Sequence, residues 1–580
     1  MTKVHAWLKT HHVLWIVVLA FTIFVTRGLA LDQYVSLDEV SWLRRSANFY
    51  YALGQRDFVQ TRHSVDPAVT TMWVNTAAFV IEAPQYRVYG QGYFEDFATF
   101  DQFARSRNID PHEVLITGRK LMLLENIILL LTAFVISIRL VGVIPAFSAF
   151  MLIALDPFHI EWTTISHTDG QLSCLMLLSV ISFLAYFFEK PKLIYVLISA
   201  LTASLACLTK LPGYLLFIFF VGFLLYELIR QRRLMTRQAD LRFGPWVRRT
   251  ARDVGIWLGV FVLFYVALWP AMWVEPVKTL QRQITAPFIF VDREDMLSRS
   301  DDISNTIDID LPEKIPGIFQ RLMKYPAAIV WRATPVVLLG LLLALLFFIF
   351  KRGILGESST RRLSIVIMLF AGVFILIISL ADMQNVRYMM PAIVMVDMLA
   401  ACGWVALAQV ILSSKKTWLR LSAISAVLLF VAVVQVGGNV LVHPYYGSYH
   451  NPLMGGAKKV GETLFIGSGE GLDEAGRYLS AKPDASNLTV ISWYGNGSFS
   501  YYFSGKPVNM PVRVNNQWIA ENIAGADYMV VYTNQWYRNR TPHLFEVLAQ
   551  VKPEHSIWIN EIEYARIYLV EDIPSAIFTY

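Results

Sequence analysis

"RQRRLMTRQADLRFGPWVRRTAR", residues 230–252, places eight arginines between two long apolar runs. Basic residues crowded into a short connection between apolar segments mark the cytoplasmic side of a membrane protein. "KRGILGESSTRR" (351–362) and "KK" (415–416) fall between other apolar runs in the same way. The net charge of +6 is therefore an orientation signal. It is not the footprint of a nucleic-acid partner, which would gather on one surface.

The rest of the composition agrees. Of 580 residues, 55% are apolar and 16% charged, against about 25% charged in an ordinary soluble domain. Cys174, Cys207 and Cys402 each sit inside an apolar run, which argues against a disulfide framework or a zinc site. The chain reads as a polytopic α-helical membrane protein.

A span needs about 20 mostly apolar residues. Eleven candidates lie near 13–31, 118–138, 141–157, 169–188, 192–209, 211–230, 254–274, 327–350, 362–381, 388–411 and 418–441. Gly28 and Ala30 give the first a small-x-small ending, as in a cleaved signal. A retained anchor is preferred, because a structured loop and ten further spans follow. With Lys3 and Lys9 in the cytoplasm, Arg139, "EKPK" (189–192), the eight-arginine loop and both other basic clusters all fall inside.

The same counting predicts a membrane domain over 1–441 with outer loops 32–117, 158–168 and 275–326. Residues 442–580 hold no 20-residue apolar run and read as an extracytoplasmic α/β domain. "NLTVISWY" (487–494), "ADYMVVYT" (526–533) and "SIWINEIEYARIYLV" (556–570) are strand-like. "GLDEAGRYLSA" (471–481) and "HLFEVLAQ" (543–550) are helix-like.

On the outer side, titratable groups gather. "SLDE" (36–39) matches a capping box, Ser36 as N-cap and Glu39 reaching back. It opens an amphipathic helix expected to lie on the membrane surface. The box needs only Glu39, which leaves Asp38 available as a general base, its pKa raised by partial desolvation. "ALDPFHIEWTTISHTDGQLSCLMLLS" (154–179) adds His167 and Asp169, with helix capping as the plainer alternative. "CLTKLPGYLL" (207–216) adds Lys210, and "DMQNVRYMMPAIV" (382–394) adds Arg387 and Tyr388. Both cations also suit snorkelling or interfacial anchoring. Cations suit a phosphate, and an acid suits a hydroxyl.

Taken in order, "SLDEVSW", "LDPF…SHTD", "LTKLPG" and "RYMMPA" resemble the GT-C glycosyltransferases, nearest the bacterial protein-mannosyltransferase and aminoarabinose-transferase-like group. The resemblance covers roughly residues 10–440. It implies a polyprenyl-phosphate-linked sugar donor, a glycan, glycolipid or protein acceptor, and a single inverting displacement in the cytoplasmic membrane. It assigns Asp38 as base, Glu39 as its support and Asp169 as an orienting acid. It assigns Arg387 and Lys210 to the lipid phosphate; His167 and Tyr388, from the same outer segments, are read as further substrate contacts. Asp66, in "DPAVTTMW" (66–73), stands where the resemblance leads one to expect histidine. Arg332 in "WRATP" (331–335) reads as a further phosphate contact or an interfacial anchor.

No cofactor is assigned. "DREDM" and "SDDISNTIDIDL" in the 275–326 loop offer the oxygens a divalent ion takes, but a solvated loop with matching Arg and Lys is the preferred reading. Two rival functions stand beside transfer. A flippase of lipid-linked sugars would show mid-span charges or paired broken helices. A membrane scaffold would have no need of the acid and cation set.

Overall fold

The computed structural model describes residues 12–574 except 64–65, 190, 238–242, 292–316, 382–383, 413–416, 461–463, 465, 512–517, 519–520 and 539–541. All eleven predicted spans coincide with apolar helices. Among the described residues, seven helices are long and apolar enough to cross a membrane unaided, including Pro111–Val141, Thr168–Phe188 and Val386–Leu412. Two more qualify only as bent pairs, Val143–Leu155 with Pro157–Thr164 at 65°, and Leu429–Val442 with Tyr446–Met454 at 114°. The first and fifth predicted spans are the shorter helices Val13–Gly28 and Leu193–Thr209, below the ~20 residues a full crossing takes.

Two predicted boundaries move for local reasons. The third span breaks at Asp156, whose carboxylate accepts from the His159 N–H at 2.7 Å and starts a new helix with Pro157 in its first turn. The eighth does not begin near 327. The Gly317–Arg332 helix ends there, and Thr334 caps a separate helix, Pro335–Phe350. Pro335 cannot continue a helix from its N-terminal side, because it lacks the N–H. The Pro335–Phe350 and Met390–Leu412 helices then pack backbone to backbone: a Cβ on Gly403 would lie 2.0 Å from the Gly340 carbonyl.

The 32–117 region is largely helical, with Leu37–Gln55, Val69–Glu82 and Phe97–Ser106. The Leu37–Gln55 helix does not present its polar face to open surroundings. Asn48 pairs with the Phe94 backbone both ways, at 2.8 and 3.0 Å, and Arg44 donates to the same carbonyl at 2.8 Å.

The C-terminal domain carries a five-stranded sheet in the order β2-β1-β3-β5-β4. Its strands are β1 (Thr489–Trp493), β2 (Lys506–Met510), β3 (Tyr528–Tyr532), β4 (His555–Ile559) and β5 (Ile562–Leu569). β1 runs parallel to β2 and β3, whereas β5 is antiparallel to β3 and β4. The stretch 556–570, read as one strand, is a hairpin. Asn560 and Glu561 turn it with φ of 47° and 64°, the backbone a tight two-residue hairpin requires. The two predicted helices stand as Leu472–Ser480 and Pro542–Leu548.

Candidate active site

Four separated segments meet at the end of the helix bundle against which the C-terminal domain packs. Asp38 sits in the first turn of the Leu37–Gln55 helix, and His167 caps the Thr168–Phe188 helix whose first turn holds Asp169. Lys210 follows the Leu193–Thr209 helix, and Arg387 precedes the Met390–Leu412 helix. All five side chains are buried.

Their contacts close a ring through Arg387, Asp38, His167 and Asp169, with Lys210 on Asp169. Arg387 bonds Asp38 closely through Nη1 and lies 3.2 Å from the Asp169 carboxylate through Nε. Lys210 Nζ donates to both Asp169 oxygens at 2.8 and 2.9 Å. His167 bridges the two acids, with Nε2 at 3.3 Å from Asp38 and Nδ1 accepting from the Asp169 N–H at 3.2 Å. In the tautomer whose Nδ1 accepts, Nε2 carries the proton and donates to Asp38. The imidazole is neutral: burial, then the Arg387 charge, lowers its pKa. Two carboxylates and two cations make the cluster neutral, which is what lets it stay out of water.

Aromatic rings wall the ring of charges. Lys210 Nζ lies 4.3 Å from the centre of the Tyr388 ring, and Arg387 stacks 5.3 Å over Trp162. Trp42 and Trp162 meet the His167 imidazole edge-on.

The Asp38 carboxyl departs from expectation. Burial alone would raise it, but Arg387 and His167 outweigh burial and hold it well below the usual carboxylate range. The rise expected from desolvation fails because the counter-charges come with the burial. In this state Asp38 is too weak a base to take a hydroxyl proton.

The other singled-out residues fall around this centre. Asp66 accepts from the Leu211 N–H at 3.3 Å, and its pKa is raised by burial against the pull of Lys210. Glu39 turns away from Asp38. It accepts from Arg119 Nε at 2.8 Å, from the Ser166 N–H at 2.7 Å and from the Ser36 N–H at 2.9 Å. Arg332 stands outside the ring and donates to the Gly447 and Tyr449 carbonyls at 2.7 and 3.1 Å. With Arg387, Glu161 and Glu470 it lines a cavity of about 20 Å³, room for roughly one water. Among the described residues no three His, Cys, Asp or Glu side chains gather to hold a metal. "DREDM" and "SDDISNTIDIDL" lie outside the described residues.

Sequence reasoning missed Arg119, which donates to the Leu31 and Tyr34 carbonyls as well as to Glu39. An arginine at the start of an apolar span was the available signal. Glu39→Gln is expected to leave Arg119 buried without its counter-charge and to cost about 3–5 kcal/mol. A thermal melt of purified protein reads this directly. A Glu39→Gln variant that melts like the parent would show that the Arg119 pair does not hold this joint.

No family model matches the chain, and no curated protein matches it by sequence. Solved structures resemble its arrangement. The ArnT of Cupriavidus metallidurans bound to undecaprenyl phosphate is 12% identical, with 97% of this chain and 98% of that one covered at a TM-score of 0.46. The archaeal oligosaccharyltransferase AglB from Archaeoglobus fulgidus, in complex with an inhibitory peptide and a dolichol-phosphate, is 11% identical. The coverage there is 91% and 70%, at a TM-score of 0.45.

Proposed function

We propose that this chain is a membrane glycosyltransferase. It moves a sugar from a polyprenyl-phosphate donor to an acceptor hydroxyl on the extracytoplasmic face. The observation that carries the reading is the buried cluster of Asp38, Arg387, Asp169 and Lys210, two acids and two cations walled by aromatic side chains. Arginine and lysine suit a phosphate monoester, and each is held by a carboxylate that the phosphate can replace.

The steps follow from the charges. The donor phosphate draws Arg387 and Lys210 toward its oxygens. Asp38 then loses the guanidinium that kept it acidic, and burial raises its pKa. It accepts the proton of the acceptor hydroxyl as that oxygen bonds the anomeric carbon from the face opposite the phosphate. The carbon–oxygen bond to the phosphate breaks, and polyprenyl phosphate leaves on the two cations. His167, neutral and donating through Nε2, keeps Asp38 oriented. The motifs "SLDEVSW", "SHTD", "LTKLPG" and "RYMMPA" support the same reading by their likeness to GT-C enzymes.

The test is transfer by the purified chain in lipid nanodiscs. A panel of polyprenyl-phosphate hexoses and pentoses is supplied with envelope extract as acceptor. The expected result is sugar on the acceptor with inverted anomeric configuration, and one equivalent of polyprenyl phosphate released. Release without acceptor labelling, or retained configuration, counts against the mechanism.

A further inference from the structure

The C-terminal domain touches the helix start that carries Asp38. The contact is a loop of alternating glycines, Gly467-Ser468-Gly469-Glu470-Gly471. The Ser468 carbonyl accepts the Leu37 N–H at 2.9 Å, one residue before Asp38. Gly469 has φ of +123°, where a side chain is strained, and a Cβ there would sit 2.6 Å from the Val35 carbonyl oxygen and 3.2 Å from Ser36 Cα. On its other side the loop is pinned to the sheet. The Gly469 N–H donates to the Tyr532 hydroxyl at 2.8 Å, and a Cβ on Gly467 would meet Thr533 at 2.7 Å.

Other parts of the domain grip the same short segment. Tyr502 donates to the Gln33 carbonyl at 2.8 Å, Tyr445 stacks on Tyr34 at 5.8 Å, and Gly497 leaves room for Val40. Glu470 reaches the bundle beside Glu161, where a Cβ on Gly447 would lie 2.6 Å from Glu470 Oε1 and 3.2 Å from Glu161 Cδ. Residues 33–40 are thus held from one side by Arg119, through Glu39 and the Tyr34 carbonyl, and from the other by the C-terminal domain. The first turn of a helix has N–H groups with no partner inside the helix. Here one of them, at Leu37, takes its partner from Ser468, in a domain far along the chain.

We propose that the Gly467–Gly471 loop is a positioning element of the transfer site. It fixes the first turn of the Leu37–Gln55 helix, so that Asp38 faces the reacting hydroxyl once the donor phosphate has drawn Arg387 away. This rests on the transferase reading above. The loop's bond to this helix is made at the Leu37 N–H. It acts on Asp38 through Leu37, so its loss is expected in kcat and not in the donor KM.

The experiment compares the full-length parent, Gly469→Ala and Gly525→Ala in nanodiscs. A Cβ on Gly525 meets nothing within 4 Å, so that variant controls for a glycine replaced elsewhere in the same domain. Two quantities are read: transfer kinetics, and hydrogen exchange of the peptide covering residues 34–42. For Gly469→Ala the expected result is a fall in kcat of about 10²-fold, the scale of a 1 Å misplacement. The donor KM should stay put, and exchange at 34–42 should quicken. Tyr532→Phe, which removes the hydroxyl that anchors Gly469, is expected to give the same signature more weakly, and it serves if Gly469→Ala does not fold. Unchanged exchange overturns the proposal, as does faster exchange with parental kcat, or a defect confined to KM. If the parent transfers from no donor, the transferase reading fails, and the exchange data then bear on the joint between the domains alone.

Discussion

Replacing Asp38 with asparagine is expected to abolish transfer and, at the same time, to tighten the hold on polyprenyl phosphate. The first effect follows from the base. Asparagine keeps the shape of the side chain but cannot take a proton, and loss of a positioned general base costs roughly 10²–10⁴-fold in rate. The second follows from the ring. Arg387 is engaged by Asp38 in the resting protein, so an incoming phosphate must compete with that carboxylate. Asparagine removes the competitor. A gain of about tenfold in affinity, about 1.4 kcal/mol, is expected, read by calorimetry with polyprenyl phosphate alone. A merely structural Asp38 predicts the reverse, weaker lipid binding in a loosened site.

The second large effect is expected at Arg387. Arg387→Met leaves Asp38 and Asp169 with Lys210 and a neutral imidazole, one cation for two buried acids. Breaking a buried pair from one side costs about 3–5 kcal/mol, and transfer should be lost with it. The pH dependence carries the sharper signature. In the parent, the Asp38 pKa is depressed by Arg387 and His167 against the effect of burial. Its stabilising contribution is present above the unfolded carboxylate pKa of about 3.9 and is lost as pH falls toward the folded value. Without the guanidinium, burial raises the same group, so the folded state binds the proton more tightly than the unfolded one. The contribution then shrinks as pH rises through the new folded pKa. Melting temperatures from pH 4 to pH 8 should therefore fall more steeply for the variant than for the parent. Parallel profiles would show that Arg387 does not set the charge state of Asp38.

Much of this architecture was legible because spans announce themselves by length and apolar content. What escaped depends on contacts between distant segments. The hairpin at Asn560-Glu561 hides in a run of strand formers, and its turn shows only in two positive φ angles. β2, "KPVNM", is short, contains Pro507 and lies at the sheet edge, so propensity does not point to it. At the site, the residue types in the outer segments pointed to an acid and cation set. Their pairing was not legible. Nothing local in "SLDE" says that Glu39 is consumed by Arg119 and Ser166 while Asp38 faces Arg387. Nor does "SHTD" by itself say which nitrogen of His167 carries the proton.

The bond between Asp38 and Arg387 closes over 349 positions of chain. A ribosome adding about 5–20 residues each second needs roughly 17 to 70 s to travel that distance. For that interval Asp38 has been made and its guanidinium has not. Then the Ser468 carbonyl must still be synthesised before the Leu37 N–H finds its partner. The nascent chain therefore makes most of its helices while the Asp38–Arg387 pair is unmade, and a product terminated before residue 387 holds Asp38 without its guanidinium.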